Sequence, residues 1–252
     1  MKHILKFSSF LLIGGLLFTS CKKDNSIAPE EISSETLSQI YNHGFGTDNV
    51  QKIEEGYLVE GDIVLTPEFL SQKPGGNLLR IANNEQYRTT NLVSGTRVIT
   101  LALDSKLAGK AGYPAALAEV ARRYNAENLV LTFQVVSSGA DITYVDGHGQ
   151  YLASAGFPTG GNPYGTVKVN AQSIGTGTTQ VFYDFLGTIL AHEAGHCIGF
   201  RHTDYMDRSY SCGGSYSNEG ASSVGAIQIP GTPAGPDAGS WMLACVSRNQ
   251  SR

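Results

Sequence analysis

The run His192-Glu193-Ala194-Gly195-His196-Cys197-Ile198-Gly199-Phe200-Arg201-His202 constrains this chain more than any other feature. At about 3.6 residues per turn, His192 and His196 stand one above the other on the same helical face. Both imidazoles can then reach one metal ion at about 2.0–2.1 Å. Glu193 is turned away by about 100°, so its carboxylate flanks such an ion without joining its ligands. Gly199 tolerates positive φ, which lets the helix stop and the chain turn back. That turn brings His202 round as a third ligand. Three neutral nitrogens with one open position form a catalytic rather than a structural zinc arrangement. The sequence thus assigns Zn2+ to His192, His196 and His202, and the role of proton carrier to Glu193, with no other cofactor. A site of this design activates a zinc-bound water, with Glu193 placed to carry its proton. The alternative is a binding lipoprotein that keeps zinc without turnover, and a glutamate beside the first histidine gives such a site little.

Composition removes the other classes. With 252 residues, 41% of them hydrophobic and 16% charged, the chain can bury a core and is not a disordered polyelectrolyte. Eighteen basic against 22 acidic residues leave a net charge of −4, so no nucleic-acid partner is expected. Thirty glycines exceed the usual share of about 7% and point to many turns. At the N-terminus, Lys2, His3 and Lys6 precede the apolar run Phe10–Phe18, which is too short for a permanent span. Small Thr19 and Ser20 then lead to Cys21 and polar Lys22-Lys23-Asp24, which resembles a bacterial lipobox. Residues 1–20 are expected to be a signal peptide and Cys21 the lipidated residue. The protein would then sit in the bacterial cell envelope, anchored to a membrane through its N-terminus, or be secreted. Outside the cytoplasm, Cys197, Cys212 and Cys245 suggest one disulfide and one free thiol. Cys212–Cys245 and Cys197–Cys212 both remain open as pairings.

Along the chain, residues 21–34 read as a lipidated cysteine and tether. Residues 35–90 read as a propeptide-like segment and linker, and residues 91–252 as the catalytic domain. Within the middle segment Glu35–Tyr41 suits a brief helix and Tyr57–Leu65 a strand around a glycine, while Pro74 to Thr90 looks like an exposed linker. Thr96–Leu103, Leu129–Val136 and Asp141–Val145 are β-rich, with Tyr151–Phe157 and Thr166–Val169 as weaker strands. Tyr113–Asn128 has Leu117, Val120, Ala121 and Tyr124 at helical spacing, and a second helix runs from about Thr179 to Ile198. This order predicts an α+β fold: a twisted mixed five-stranded sheet, two long helices and a loop-rich C-terminal part. His43 and His148 read as surface and loop residues.

The histidine motif is that of the metzincin clan of zinc endopeptidases, which the upstream strand and helix order also resembles. The lipobox, the His202-Thr203-Asp204 continuation and the glycine-rich tail make the chain similar to the bacterial dual-action HEIGH metallopeptidases, over about residues 55–245. The resemblance implies a protein or peptide substrate and a methionine turn beneath the metal. Met242 in Ser240-Trp241-Met242 suits that turn better than Met206. Val59-Glu60-Gly61-Asp62-Ile63 resembles the element of astacin propeptides whose aspartate fills the open zinc position, which implies a latency role for Asp62. On that view Arg80 or Arg88 is a candidate activation cleavage point. Tyr151–Phe157 resembles the clan's upper-rim edge strand, which binds an extended peptide through backbone hydrogen bonds.

Overall fold

A computed structural model describes residues 32–72, 86–127, 129–220 and 225–247. The signal sequence, Cys21 and Arg80 lie outside them. The described residues form one compact unit. In chain order the elements are α1 (Ser34–Asn42), β1 (Gln51–Ile53), β2 (Gly56–Val59), β3 (Ile63–Leu65), α2 (Pro67–Ser71) and β4 (Tyr87–Arg88). There follow β5 (Arg97–Leu103), α3 (Ser105–Ala108), α4 (Tyr113–Ala126), β6 (Leu131–Val135), β7 (Ile142–Asp146), β8 (Ala153–Gly156) and β9 (Thr166–Val169). The last are α5 (Ala171–Ile174), α6 (Gln180–Ile198), α7 (Ser209–Cys212) and β10 (Ile227–Gln228).

The expected five strands, β5 to β9, belong to a mixed eight-stranded sheet of order β1-β2-β3-β8-β9-β7-β5-β6. The three added strands come from residues 51–65, because β3 pairs parallel with β8 through Ile63–Ala155 and Val64–Gly156. β8 is therefore not an edge strand: its outer side is already taken by this chain's own β3. Two-residue periodicity finds strands but cannot say which neighbour an edge will accept.

Two helices cover one face of this sheet. α4 carries a proline in its first turn after Gly112, whose φ is 93°. It buries Ala116, Leu117, Val120 and Tyr124. In α6 the Thr179 hydroxyl accepts from the Phe182 N–H and caps the start, and Gly199 at φ 115° ends it. From Phe185 onwards every residue of α6 is buried. A helix that is apolar almost all round must lie in a core, here between sheet, α4 and the C-terminal loops. A second apolar cluster joins Ile40, Phe45, Val59, Ile63, Leu65, Phe69 and Leu70 to Phe157. The segment before residue 72 thus packs its own small core onto the end of β8. His43 belongs there as well. It is buried, with its Nε2 3.1 Å from the Leu70 carbonyl oxygen, and corrects the surface assignment.

Residues 86–90 also depart from expectation. Arg88 is only 5% exposed, since β4 pairs antiparallel with β10 and Thr89 N–H donates to the Gly199 carbonyl at 2.8 Å. A protease cannot reach Arg88 in this state, so the exposed-linker description fails for the stretch from Gln86 on. Polar composition suggested solvent, but buried backbone pairing satisfies these groups instead.

Cys212 and Cys245 form the disulfide, and Cys197 is a buried free thiol. The bridge closes a loop with a sequence separation of 33. Chain-entropy arithmetic gives such a loop about 3–4 kcal/mol of stabilisation. Cys212→Ser/Cys245→Ser is thus expected to lower the unfolding free energy by about that amount, read as a lower denaturant midpoint, and an unchanged midpoint would contradict the assignment.

Candidate metal centre

Three imidazoles meet at the end of α6. His192 and His196 face each other with Nε2 atoms 3.0 Å apart. The His202 ring lies 5.1 Å and 5.0 Å from theirs between centroids. Ligand atoms of Asp62, His192, His196 and His202 all lie within 4.8 Å of one another. The helix supplies the first two histidines, the Gly199 turn supplies His202, and the β2–β3 turn supplies Asp62. A side chain at Gly199 would collide with the Asn91 carbonyl oxygen at 2.6 Å, so glycine is needed for space as well as for φ.

Each ring is fixed from behind. Nδ1 of His192 lies 2.8 Å from the Trp241 carbonyl, Nδ1 of His196 lies 2.9 Å from that of Phe200, and Nδ1 of His202 lies 2.8 Å from Glu219 Oε1. All three partners are acceptors, so each Nδ1 donates to its own, which leaves the Nε2 atoms as the ones offered to a metal. Nε2 of His202 has no hydrogen-bond partner, nor have Oδ1 of Asp62 and Oε2 of Glu193. One cation among the converging Nε2 atoms would satisfy these orphaned buried groups together. The residues therefore fit a divalent metal.

A second loop is tied to the turn that carries His202. Thr203 N–H donates to the Met242 carbonyl at 2.7 Å, and Thr203 and Ser240 hydroxyls lie 2.6 Å apart. Asp204 accepts from Ala244 N–H at 2.9 Å and from the Ser211 hydroxyl at 2.6 Å. Tyr124 of α4 accepts from the Trp241 indole at 3.2 Å, which steadies the carbonyl behind His192. The fully buried Met242 side chain packs against Gly195 of α6. A methyl group at Gly195 would meet Met242 Sδ, with the Tyr124 hydroxyl at 3.0 Å. Gly195→Ala is accordingly expected to cost about 1–3 kcal/mol by overpacking, read as a lowered melting temperature, whereas an unchanged one would mean that Met242 is free to move away.

A charged cluster adjoins the histidines that sequence reasoning did not single out. Glu60 accepts from Arg201 Nη2 at 3.0 Å, and its carbonyl accepts from Arg208 Nη1 at 2.7 Å. Glu219 lies 3.1 Å from Arg208 Nε and 3.8 Å from Arg201 Nη2. Arg201 is fully buried, between the apolar run Cys197–Phe200 and His202. A charge in such a run signals a buried carboxylate partner, but spacing does not say which one. Glu219 is the only acidic residue between Asp207 and Asp237, the sole hint the sequence carries for it.

Burial and the neighbouring charges set the titrations here without a metal. Burial pushes Glu193 well above the usual carboxylate range, and the Asp62 charge adds to this. Burial, with His192 and His202 nearby, holds His196 well below its ordinary value. Burial would lower His202 too, but Glu219 and Asp62 push it well above that value. Burial opposes ionisation of Asp62, yet His202 and His192 hold it well below the carboxylate range. Burial pushes Glu60 up to about 8 against the pull of Arg201. His202 raised in this way is protonated below its folded pKa, and a metal must displace that proton. Zinc binding to the metal-free chain is expected to weaken at least about ten-fold from about pH 8 to about pH 6. Calorimetric titration reads this, and a flat affinity would exclude His202 as a ligand.

A cavity of about 280 Å³ opens beside Asp62, His192 and Glu193, with Leu152, Ile189, Trp241 and Leu243 among its walls.

A buried three-histidine cluster with a carboxylate alongside is a set of groups that could hold a divalent metal ion. The family model for dual-action HEIGH metallo-peptidases matches residues 58–252, and the chain belongs to that family. No curated protein matches the chain. Twenty-nine chains of solved structures do. Among them is the structure of Myroilysin, at 19% identity and a TM-score of 0.30, covering 44% of this chain and 45% of that one.

Proposed function

We propose that this protein is a zinc-dependent endopeptidase made as a latent precursor. His192, His196 and His202 would hold the metal, Glu193 would act as general base, and Asp62 would block the open position until residues 32–72 leave. Membership of a metallopeptidase family supports hydrolysis of protein or peptide substrates. The observation that carries the rest is the convergence of three Nδ1-anchored imidazoles beside a buried carboxylate oxygen that has no partner.

A zinc ion at such a site supplies Lewis acidity, which polarises a carbonyl and makes water nucleophilic near neutral pH. Glu193 Oε2 takes the proton as water attacks the peptide carbon, then passes it to the leaving nitrogen as the C–N bond breaks. Water is consumed, and a carboxylic acid and an amine are formed. Burial that raises Glu193 suits it to hold the proton between these transfers. The apolar cavity beside it suits a substrate side chain of moderate size. Met242 would serve as the floor beneath the ligands, holding them through Thr203 and Gly195.

Latency rests on Asp62 and β3. Asp62 Oδ2 lies 3.5 Å from His192 Nε2 and 3.4 Å from His202 Nε2. β3 at the same time takes the β8 backbone groups that an extended substrate would use. Membrane attachment through Cys21, in the cell envelope, is part of this proposal and rests on the sequence alone. Among the described residues no helix is long and apolar enough to cross a membrane. The test is a proteolysis assay on the full chain before and after limited proteolysis between residues 73 and 85, with zinc measured on the same samples. Activity that appears only after cleavage and disappears with chelator supports the proposal. A zinc-loaded, cleaved chain that hydrolyses no peptide would leave the zinc-holding binding protein as the answer.

A further inference from the structure

Glu60 is held in a way that latency through Asp62 does not require. It lies two residues before Asp62 in a turn where Glu60 itself has φ 55° and Gly61 has φ 96°. A left-handed glutamate is uncommon, and here the conformation accompanies a carboxylate turned into the protein wall. Its Oε1 accepts from Arg201 Nη2 at 3.0 Å and from Gly46 N–H at 3.1 Å. The Arg201 guanidinium lies 4.3 Å from the centre of the Phe45 ring. Nε and Nη1 of Arg201 have no hydrogen-bond partner. Glu60, Gly46 and Phe45 all belong to the segment before residue 72.

When that segment leaves, Arg201 loses its close carboxylate and its stacked ring together. What stays near it is Glu219 at 3.8 Å, already shared with His202 and Arg208. Two guanidinium groups then face one carboxylate next to the histidine cluster, and one of them carries unpaired donors in a planar fork. Such a fork matches a carboxylate better than any neutral group.

We propose that Arg201 is a specificity-determining residue that selects a substrate bearing an aspartate or glutamate side chain near the scissile bond, and that Glu60 occupies this subsite in the latent chain as the substrate's stand-in. The inference rests on the latent-peptidase reading above and names the substrate class for that site. Arg208 acts with it, gripping the backbone at the same point through the Glu60 carbonyl.

The experiment digests a library of mixed-sequence peptides with the full chain activated by limited proteolysis between residues 73 and 85. Cleavage sites are then read by mass spectrometry. Aspartate and glutamate are expected to be enriched at least about five-fold at one position relative to the cleaved bond, with the enrichment lost in Arg201→Gln and partly kept in Arg201→Lys. Cleavage without acidic enrichment would overturn this inference and leave the peptidase reading intact, whereas no cleavage of any peptide would overturn both. Enrichment that survives in Arg201→Gln would remove Arg201 from the role. Because a buried arginine variant can fail to fold, a second measurement uses the unaltered activated protein. The synthetic decapeptide Tyr57–Thr66 is compared as a competitor with the same peptide carrying the Glu60→Gln change. The change is expected to weaken inhibition at least about ten-fold, and equal inhibition by the two peptides would refute the proposal.

Discussion

Replacing Glu193 by alanine is expected to leave zinc bound while peptide hydrolysis by the activated chain falls by about 10²- to 10⁴-fold. The two parts of this result have separate causes. The metal would be held by imidazoles whose rear nitrogens are anchored on Trp241, Phe200 and Glu219, none of which depends on Glu193. The Glu193 carboxylate is only 2% exposed, and its Oε2 has no hydrogen-bond partner, so no neighbour replaces it as a proton carrier. Zinc analysis and a peptide assay on one sample separate the outcomes. A variant that keeps zinc and turns over at a comparable rate would refute the assigned base, and one that loses zinc would make Glu193 a structural support of the site. Fold integrity is read from an unchanged melting temperature.

Asp62→Ala should release the intact chain from latency without any cleavage. Asp62 Oδ2 lies 3.5 Å from His192 Nε2 and 3.4 Å from His202 Nε2, and breaking such a close charge pair costs about 2 kcal/mol, which is about 30-fold in an equilibrium. The unprocessed variant should therefore cleave peptide about 30-fold faster than the unprocessed parent, with mass spectrometry showing the chain still whole. Glu60 continues to hold the segment through Arg201, so the rise should stop short of the fully processed rate. An intact, zinc-loaded Asp62→Ala chain as silent as its parent would show that β3 on β8 alone imposes latency.

Much of this site is carried by local sequence. The spacing of His192 and His196 follows from helical pitch, and Gly199 as the stop follows from positive φ. The Thr179 cap and the apolar run after it place the helix within a residue of where it lies. In the sequence Asp62 is legible only through the likeness of Val59–Ile63 to astacin propeptides, since 130 positions separate it from His192 and no periodicity links them. Its position next to the histidines depends on the β3–β8 pairing, which one residue of register would undo. The same holds for the cysteines: the sequence left Cys212–Cys245 and Cys197–Cys212 both open, and the return of the chain from Met242 to Ser211 selects Cys212–Cys245.

The misplaced features share one cause. The joining of the strands of residues 51–65 to the main sheet, Arg88 as a buried residue and His43 in a small core all involve segments of polar or mixed composition. Their burial comes from distant partners rather than from their own pattern. By itself the sequence determined which groups can bind a metal, because ligand type and helical spacing are local properties. The tertiary structure alone decided what lies against that metal site. Glu60, Arg201 and Glu219 are brought together by strand pairing and a returning loop, and the desolvation that ties buried charges to one another exists only once the chain has closed over them.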